Sequence, residues 1–479
     1  MSESSFGILS SGSYVPRGRL TGKLVAETHG WFEPTLESGV GVSRSFAGWD
    51  EDALTMAVEA ARDCMNDADP CAEIDRAQVE LASTSLPYAD RSNVGILREA
   101  LGLSETATLA DSGGSLRAAS SALLRALEAG RSRLLVASDC VDSKPASPGE
   151  ATLGHAAAAM LVGTGSPMAI LRGSASRHQD FVDHYRAAGE RFSYTLEARW
   201  TRDAGYRQQT AETHAAAMEQ AGIAERTDRL LVSAPPALAK AIAKSLRQDD
   251  LGATLSARIG YCAAAQPLLL LRHAFEQAQA GETIALVSIG QGIDVIVLEL
   301  TARAEQTSLS ARAAAGVEET NYTRYLSLRR LLELEEGIRA ERDNRTAQAA
   351  FWRKHEAITG FVGGQCRNCG TLQFPPSRVC VECGAEDSQS PRRMSELRGT
   401  VRSFTEDWLA FTPRPPLIFG NVGFGDGANV MMEFTDVSPG ELKVGMPVEL
   451  RFRIKDFDHR RGFRRYFWKP TPVAEGADG

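Results

Sequence analysis

The chain has no run approaching the roughly 18 consecutive apolar residues that a membrane-spanning helix needs, so no membrane partner is expected. It has no excess of basic charge. Lys and Arg total 53 against 61 Asp and Glu, a net charge of −8 and a pI of about 5.7. That balance argues against nucleic acid as the main partner. The opening MSESSFGILSSGSYVPRGRL lacks a basic region followed by an apolar core, and it reads as no secretory signal. Cysteine is sparse: eight in 479 residues, four of them within one short segment. Cys64, Cys71, Cys140 and Cys262 read as free thiols, and a cytoplasmic, reducing setting is expected. What is present, 43% hydrophobic and 24% charged residues, belongs to a globular protein long enough for several domains.

The clustered cysteines form the strongest local pattern. CRNCGTLQFPPSRVCVECG places Cys366, Cys369, Cys380 and Cys383 as two C-x-x-C knuckles. Each knuckle aims two thiolates at one point, and two knuckles complete a tetrahedral Zn²⁺ site. Gly370 and Gly384 follow the knuckles and suit their tight turns. Four cysteine ligands leave no open coordination position, so the zinc is expected to be structural.

Residues 1–300 alternate short apolar runs with Ala-rich amphipathic stretches. LLVAS (134–138), LVSAP (231–235) and TIALVSIG (283–290) read as buried strands. Residues 53–66, 115–129, 210–222, 237–246 and 267–279 read as helices, and the alternation predicts an α/β fold. A helix and strand over 115–138 echo a helix and strand over 267–290, which suggests a duplicated unit. Residues 301–358 are rich in Ala, Arg and Glu. LSLRRLLELEEGIRAERD and TAQAAFWRKHEA read as a helical linker with a docking helix. A zinc ribbon is expected over 359–390, an all-β barrel over 391–472 and a tail over 473–479. Five alternating segments from GTVRSFTEDWLAF to FRRYFWKP suit a small Greek-key barrel of the OB type. Its aromatics Trp408, Phe411, Phe419, Tyr466, Phe467 and Trp468 either stack bases or fill the core. The acidic chain favours core filling with a protein contact, and DHRRGFRRYFWK is the one basic objection.

A helix (FWRKHEA), a four-cysteine ribbon and an OB barrel in that order resemble the acyl-CoA-associated zinc-ribbon/OB-fold family, over about residues 345–472. The resemblance implies association with thiolase-superfamily proteins, a bridging role between subunits, and a share in the path of a CoA thioester. Residues 1–300 resemble hydroxymethylglutaryl-CoA synthases and ketoacyl synthase III. GILSSGSYVPRGRL resembles the opening strand, GHAAAAMLVG the Ala-rich strand, and GYCAAAQPLLLLRHAFEQAQAGETIALVSIGQG the last helix, strand and Gly-rich turn. DFVDHYRAAGERFSYTLEARWTRDAGY resembles the substrate segment of the hydroxymethylglutaryl-CoA synthases. The implied fold is thiolase-like, duplicated and five-layered (αβαβα), followed by the ribbon and barrel. A homodimer, or a hetero-oligomer with a thiolase, is implied as well.

The chemistry of that family uses a Cys at a helix N-terminus, a His, an Asn and a Glu. Aligned by motif, Asp111 stands at the Cys, Ala234 at the His, Tyr261 at the Asn and Thr84 at the Glu. An acyl-aspartate would be an anhydride prone to hydrolysis, so Asp111 is either a helix cap or part of non-covalent acid–base chemistry. Asp111, Tyr261, His184, Tyr185 and Tyr194 are the candidate acids and bases. Tyr261 either donates to a developing enolate or plugs the old pocket; His184 is either catalytic or a satisfied surface or core residue. Cys262 reads as a small buried apolar residue. Gly290 and Gly292 are expected to form a close backbone turn at the site that binds the CoA thioester. Two functions follow: acyl transfer or C–C bond chemistry on an acyl-CoA, or a non-catalytic subunit that bridges an active thiolase and shapes its CoA channel.

Overall fold

The computed structural model describes residues 5–68, 78–301, 308–341 and 347–473. Cys71, parts of the expected linker and nearly all of the expected tail lie outside them. Contacts divide the chain into two units. The first comprises Met1–Gly48, Asp52–Arg98 and Leu103–Tyr325; the second comprises Trp49–Glu51, Glu99–Gly102 and Leu326–Gly479.

The first unit contains strands β1 (Ser5–Tyr14), β2 (Gly18–Thr21), β3 (Ser43–Phe46), β4 (Gln78–Ala82), β5 (Leu109–Ser112), β6 (Arg133–Asp139) and β7 (Ala156–Gly165). They are followed by β8 (Ala169–His178), β9 (His184–Tyr185), β10 (Tyr194–Thr195), β11 (Arg229–Ser233), β12 (Thr283–Ile289), β13 (Gly292–Leu300) and β14 (Val317–Glu318). Nine of these form one mixed sheet in the order β11-β12-β13-β8-β1-β7-β6-β4-β5. Its two halves meet at a single pairing, Ile8 with Ala169. On one side β4 runs parallel to β5 and β6, and β6 antiparallel to β7. On the other, β11 runs parallel to β12, and β12 antiparallel to β13. The unbroken apolar runs of β6, β7 and β12 follow from this placement, because central strands are covered on both faces.

The helices are α1 (Gly22–His29), α2 (Ala53–Asn66), α3 (Asn93–Leu101), α4 (Ala118–Ala129), α5 (Pro148–Thr152), α6 (Ala198–Trp200) and α7 (Arg207–Ala221). Then come α8 (Pro236–Ser245), α9 (Ala253–Ile259), α10 (Gln266–Gln277), α11 (Leu309–Ala314) and α12 (Tyr322–Leu328). Asp52 starts α2 with a reciprocal capping box to Thr55, one of the sharper helix-start devices. α4 followed by β6, and α10 followed by β12, are the two copies of the echo in the sequence. Both helices contribute to one apolar cluster with Leu123, Leu127, Leu268 and Leu271 at its centre.

The segment read as a linker behaves differently from a continuous helix. Val317 and Glu318 pair with β2, and α12 ends at Leu328. Arg330 adopts φ +55 and Gly337 φ +68, so the chain turns where leucine spacing predicted helix. Glu333, Glu335 and Glu336 concentrate like charge there. FWRKHEA forms two short helices, α13 (Gln348–Arg353) and α14 (His355–Ile358).

In the second unit β15 (Val362–Cys366), β16 (Leu372–Gln373) and β17 (Gln389–Arg393) make the ribbon. An antiparallel five-stranded sheet follows: β18 (Gly399–Asp407), β19 (Leu417–Phe424), β20 (Ala428–Glu433), β21 (Pro447–Asp458) and β22 (Phe463–Pro472). The Thr435 N–H donates to Pro470 O at 3.0 Å and ties the end of β20 to β22. Tyr466 and Trp468 are buried against Phe452, so those two aromatics fill the core. Trp408 is 63% exposed. The basic run is partly neutralised: Arg461 pairs with Asp458 at 2.6 Å, and Arg465 pairs with Asp456. Asp50 is buried in this unit and accepts from Lys469 at 3.0 Å and Thr435 at 3.1 Å.

Candidate functional site

Asp111 does not stand at the start of a helix. It lies in β5, and its carboxylate accepts the N–H groups of Asn93 (2.8 Å) and Val94 (2.9 Å) at the start of α3. It therefore caps α3, a helix earlier in the chain, and the reading of Asp111 as the cap of a helix begun by Ser112 and Gly113 is corrected. Ser112-Gly113-Gly114 continues from β5 into a bend, and α4 begins only at Ala118. Two residues before that helix, Leu116 packs on the Gly290 turn, its Cβ 2.9 Å from where a Cβ built on Gly290 would lie. Only glycine fits at that close approach.

The expected Gly290–Gly292 turn is held by the residues that lead into α4. Gly290 O accepts from Arg117 Nε (2.9 Å) and Ser115 Oγ (3.0 Å). Arg117 also pairs with buried Asp294 at 2.6 Å, and Ser120, Ser121 and Ser176 donate to the same carboxylate. A buried ion pair so fully hydrogen-bonded serves to fix position. Between the two glycines Gln291 is held at φ +53, a conformation non-glycine residues rarely take.

Asp139, at the end of β6, is the hub of the strand ends. Its buried carboxylate accepts from Ser83 Oγ, Thr84 N, Thr84 Oγ1, Ser85 Oγ and Ala264 N, at 2.7–3.0 Å. Thr84 is thus tied to Asp139. Tyr261 lies beside this hub, 2% exposed, and its hydroxyl is buried without a hydrogen-bond partner. Burial, then the negative charges of Asp139 and Asp183, push its pKa upward, so it stays a neutral donor. Cys262, next to it, is fully buried, and burial pushes its pKa up as well; it is an inert core thiol. Cys64 is another, pushed up to about 12 by burial.

His184 is part of a hydrogen-bonded cluster that the sequence reading only half identified. His184 Nδ1 lies 2.8 Å from Asp183 Oδ1. The other oxygen of Asp183 accepts from Tyr206 Oη at 2.7 Å, and the Gln291 N–H donates to that hydroxyl at 2.7 Å. Gln291 Nε2 donates to His184 O at 2.9 Å. Burial alone would raise the Asp183 pKa, but the hydrogen bond and charge of His184 and the Tyr206 bond outweigh it, and the carboxyl sits below its ordinary 3.8. Tyr185 is not in the cluster: it is 52% exposed and packs against Tyr194, 5.5 Å between ring centroids. Asp183, Tyr206 and Gln291 were missed. The D-H dipeptide was a visible signal for Asp183, but nothing local marks Tyr206.

Ala234 lies at the end of a groove of about 1300 Å³, larger than the ~300–1,000 Å³ of ordinary small-molecule pockets. Lys240 and Lys244, one turn apart on α8, and Arg247 line it. All three are exposed and none has an ion-pair partner among the described residues. Four carboxylates, Glu225, Asp228, Asp249 and Asp250, also line it; Asp228 accepts from Thr283, and Asp250 accepts from Val232 and Gly252. The lysine spacing in APPALAKAIAK was legible as a helix face and was overlooked.

The four cysteines of the ribbon come together as expected, with all four sulfurs within 4.8 Å of one another. Cys366 and Cys383 are 3.7 Å apart and Cys369 and Cys380 3.6 Å apart. A tetrahedral ion with Zn–S bonds of about 2.3 Å needs sulfurs about 3.8 Å apart. The N–H groups of Gly370 and Gly384 donate to Cys366 O and Cys380 O, and both glycines take positive φ, +79 and +71. The donor set fits a structural zinc.

Comparison with known proteins adds two matches in this part of the chain. Residues 360–388 match the rubredoxin-like zinc ribbon domain of ChsH2, and residues 392–453 match its C-terminal OB-fold domain. A DUF35 domain-containing scaffold protein of Pyrococcus furiosus is 32% identical over 128 residues, 26% of this chain and 90% of that protein. Through its C-terminal part, the chain belongs to the DUF35 family. The N-terminal region of this DUF35-family chain has a hydroxymethylglutaryl-CoA-synthase-like thiolase fold. The hydroxymethylglutaryl-CoA synthase of Archaeoglobus fulgidus is 28% identical, with 67% of this chain and 96% of that protein covered. A solved HMG-CoA synthase complexed with CoA superposes with a TM-score of 0.59 at 20% identity, covering 71% of this chain and 95% of that one. No helix of the described residues is long and apolar enough to cross a membrane.

Proposed function

We propose that this protein handles an acyl-CoA thioester, in acyl transfer or in making or breaking a C–C bond, with residues other than a Cys-His-Asn-Glu set. The groove of Lys240, Lys244 and Arg247 beside Ala234 carries the reading. Three unpaired cations along one wall suit the phosphates of CoA, and the groove reaches the strand end where the family's histidine would stand. In this reading Asp111, Ala234, Tyr261 and Thr84 stand where the family's Cys, His, Asn and Glu would be. Tyr261 supplies the donor that a thioester oxygen or enolate would need, since its hydroxyl is otherwise unpaired.

Isothermal titration of the zinc-loaded full chain with CoA and acetyl-CoA tests this. Binding is expected, weakened at least about tenfold by Lys240→Glu with Lys244→Glu, with no acyl adduct on the protein by intact mass. Absence of binding, or an acylated cysteine, would overturn it.

A second reading is favoured by the DUF35 relatives, which are named scaffold proteins. In it the chain bridges an active thiolase and shapes its CoA channel, Tyr261 plugs the old site, and acyl-CoA binds only to the co-purified complex. Under either reading we place the protein in the reducing cytoplasm, as a homodimer or with a thiolase partner. We also assign residues 1–300, 301–358, 359–390 and 391–472 to thiolase-like, linker, ribbon and barrel parts.

A further inference from the structure

A base needs a free lone pair, a fixed tautomer and a nearby group to stabilise the charge it creates. His184 has the first two. A carboxylate only accepts hydrogen bonds, so the 2.8 Å contact with Asp183 puts the imidazole proton on Nδ1 and leaves Nε2 as an acceptor. No described residue bonds Nε2, and the side chain is 24% exposed, so the lone pair is reachable.

The support behind His184 is more than a surface pair. Tyr206 is fully buried and bonds both Asp183 and the Gln291 N–H. It is delivered there by a π-helical turn, Thr201–Tyr206, and received by a left-handed Gln291. Both are costly local conformations of the kind that gather at working sites. A structural histidine would need neither. The charge-stabilising group is Tyr261, whose hydroxyl is unpaired; it lies beside the Asp139 hub, and the His184 segment is joined to that hub through Arg186, which donates to Thr84 O.

We propose that His184 Nε2 is a general base that removes a proton from the α-carbon of a bound acyl thioester, with Asp183 and Tyr206 as positioning residues. The inference rests on the acyl-CoA reading and names its chemistry. The Cα–H bond breaks, its proton passes to Nε2, and the electron pair moves into an enolate whose oxygen accepts from Tyr261. Return of the proton from the imidazolium restores the thioester, so no co-reactant is consumed. In ²H₂O the returned ion is deuterium.

The test is deuterium incorporation at the methyl of acetyl-CoA and the α-methylene of butyryl-CoA, followed by NMR, with binding measured in parallel. Wild-type protein is expected to exchange both. His184→Gln is expected to lose at least about 100-fold, the lower range for a general base, with binding changed less than about twofold. Asp183→Asn is expected to lower exchange and to shift the His184 ¹⁵N signals from the Nδ1–H pattern to a mixed one. The two effects must come together: lowered exchange without the ¹⁵N shift would rule out Asp183 as the residue that sets the His184 tautomer. Binding without exchange, or exchange unchanged in His184→Gln, overturns this proposal alone; absence of binding overturns it together with the acyl-CoA reading.

Discussion

Two Tyr→Phe substitutions in the first unit should have opposite effects on stability. Tyr261 buries a hydroxyl that has no partner, while its ring packs among the strand ends. An unsatisfied buried polar group costs about 1–3 kcal/mol. Tyr261→Phe removes that cost and keeps the ring, so a gain of about 1 kcal/mol is expected after a small void is allowed for. Tyr206 makes two bonds of 2.7 Å, one to the Asp183 carboxylate and one from the Gln291 N–H. A bond to a charged group contributes about 1.5–3 kcal/mol, and a second buried partner is orphaned, so Tyr206→Phe should lose about 2–4 kcal/mol. Urea unfolding followed by hydrogen exchange in peptides spanning residues 259–270 and 286–297 reads the first unit apart from the second. The gain at Tyr261 should come with loss of α-proton exchange, because the same hydroxyl is the proposed enolate donor. A loss of stability above about 1 kcal/mol in Tyr261→Phe would show that the phenol has a partner, and the case for it as a free donor would fail.

Zinc chelation or Cys366→Ser should abolish exchange protection over residues 360–393 and loosen the barrel while residues 5–300 keep theirs; a melt unchanged by chelation would refute a structural zinc. The second unit should lose stability in acid through Asp50. Burial pushes that carboxyl up, but Lys469 and Arg453 outweigh it and hold the pKa below its ordinary 3.8. Its contribution is therefore present above about pH 4 and lost as pH falls through the lower folded value. Asp50→Asn should flatten that acid limb and cost about 3 kcal/mol at pH 7 by leaving Lys469 buried with Glu433 alone; an unchanged acid limb would count against it. Labelled single-stranded DNA should not bind tighter than about 10 μM at 150 mM salt, since Arg461 and Arg465 are already paired; tight, salt-sensitive binding would restore the nucleic-acid reading.

Much of this protein was legible before folding was considered. Periodicity placed α2 at the residues it occupies and set β6 and β12 within a residue or two, because each pattern is complete within one element. The zinc ligands were equally plain, since two knuckles place four thiolates by local turns alone. Tertiary structure decided the rest. With no cysteine to anchor the register, the glycine pair after Asp111 looked like a helix start, and only the β5–α3 hydrogen bonds revealed a cap for another helix. Asp183, Tyr206 and Gln291 lie far apart in sequence and meet only because a π-turn and a left-handed residue bring two loops to one strand edge. A helix or a metal knuckle is specified by neighbours along the chain. A site built from loop ends depends on where the sheet sets them down, and that is fixed by packing across the whole unit.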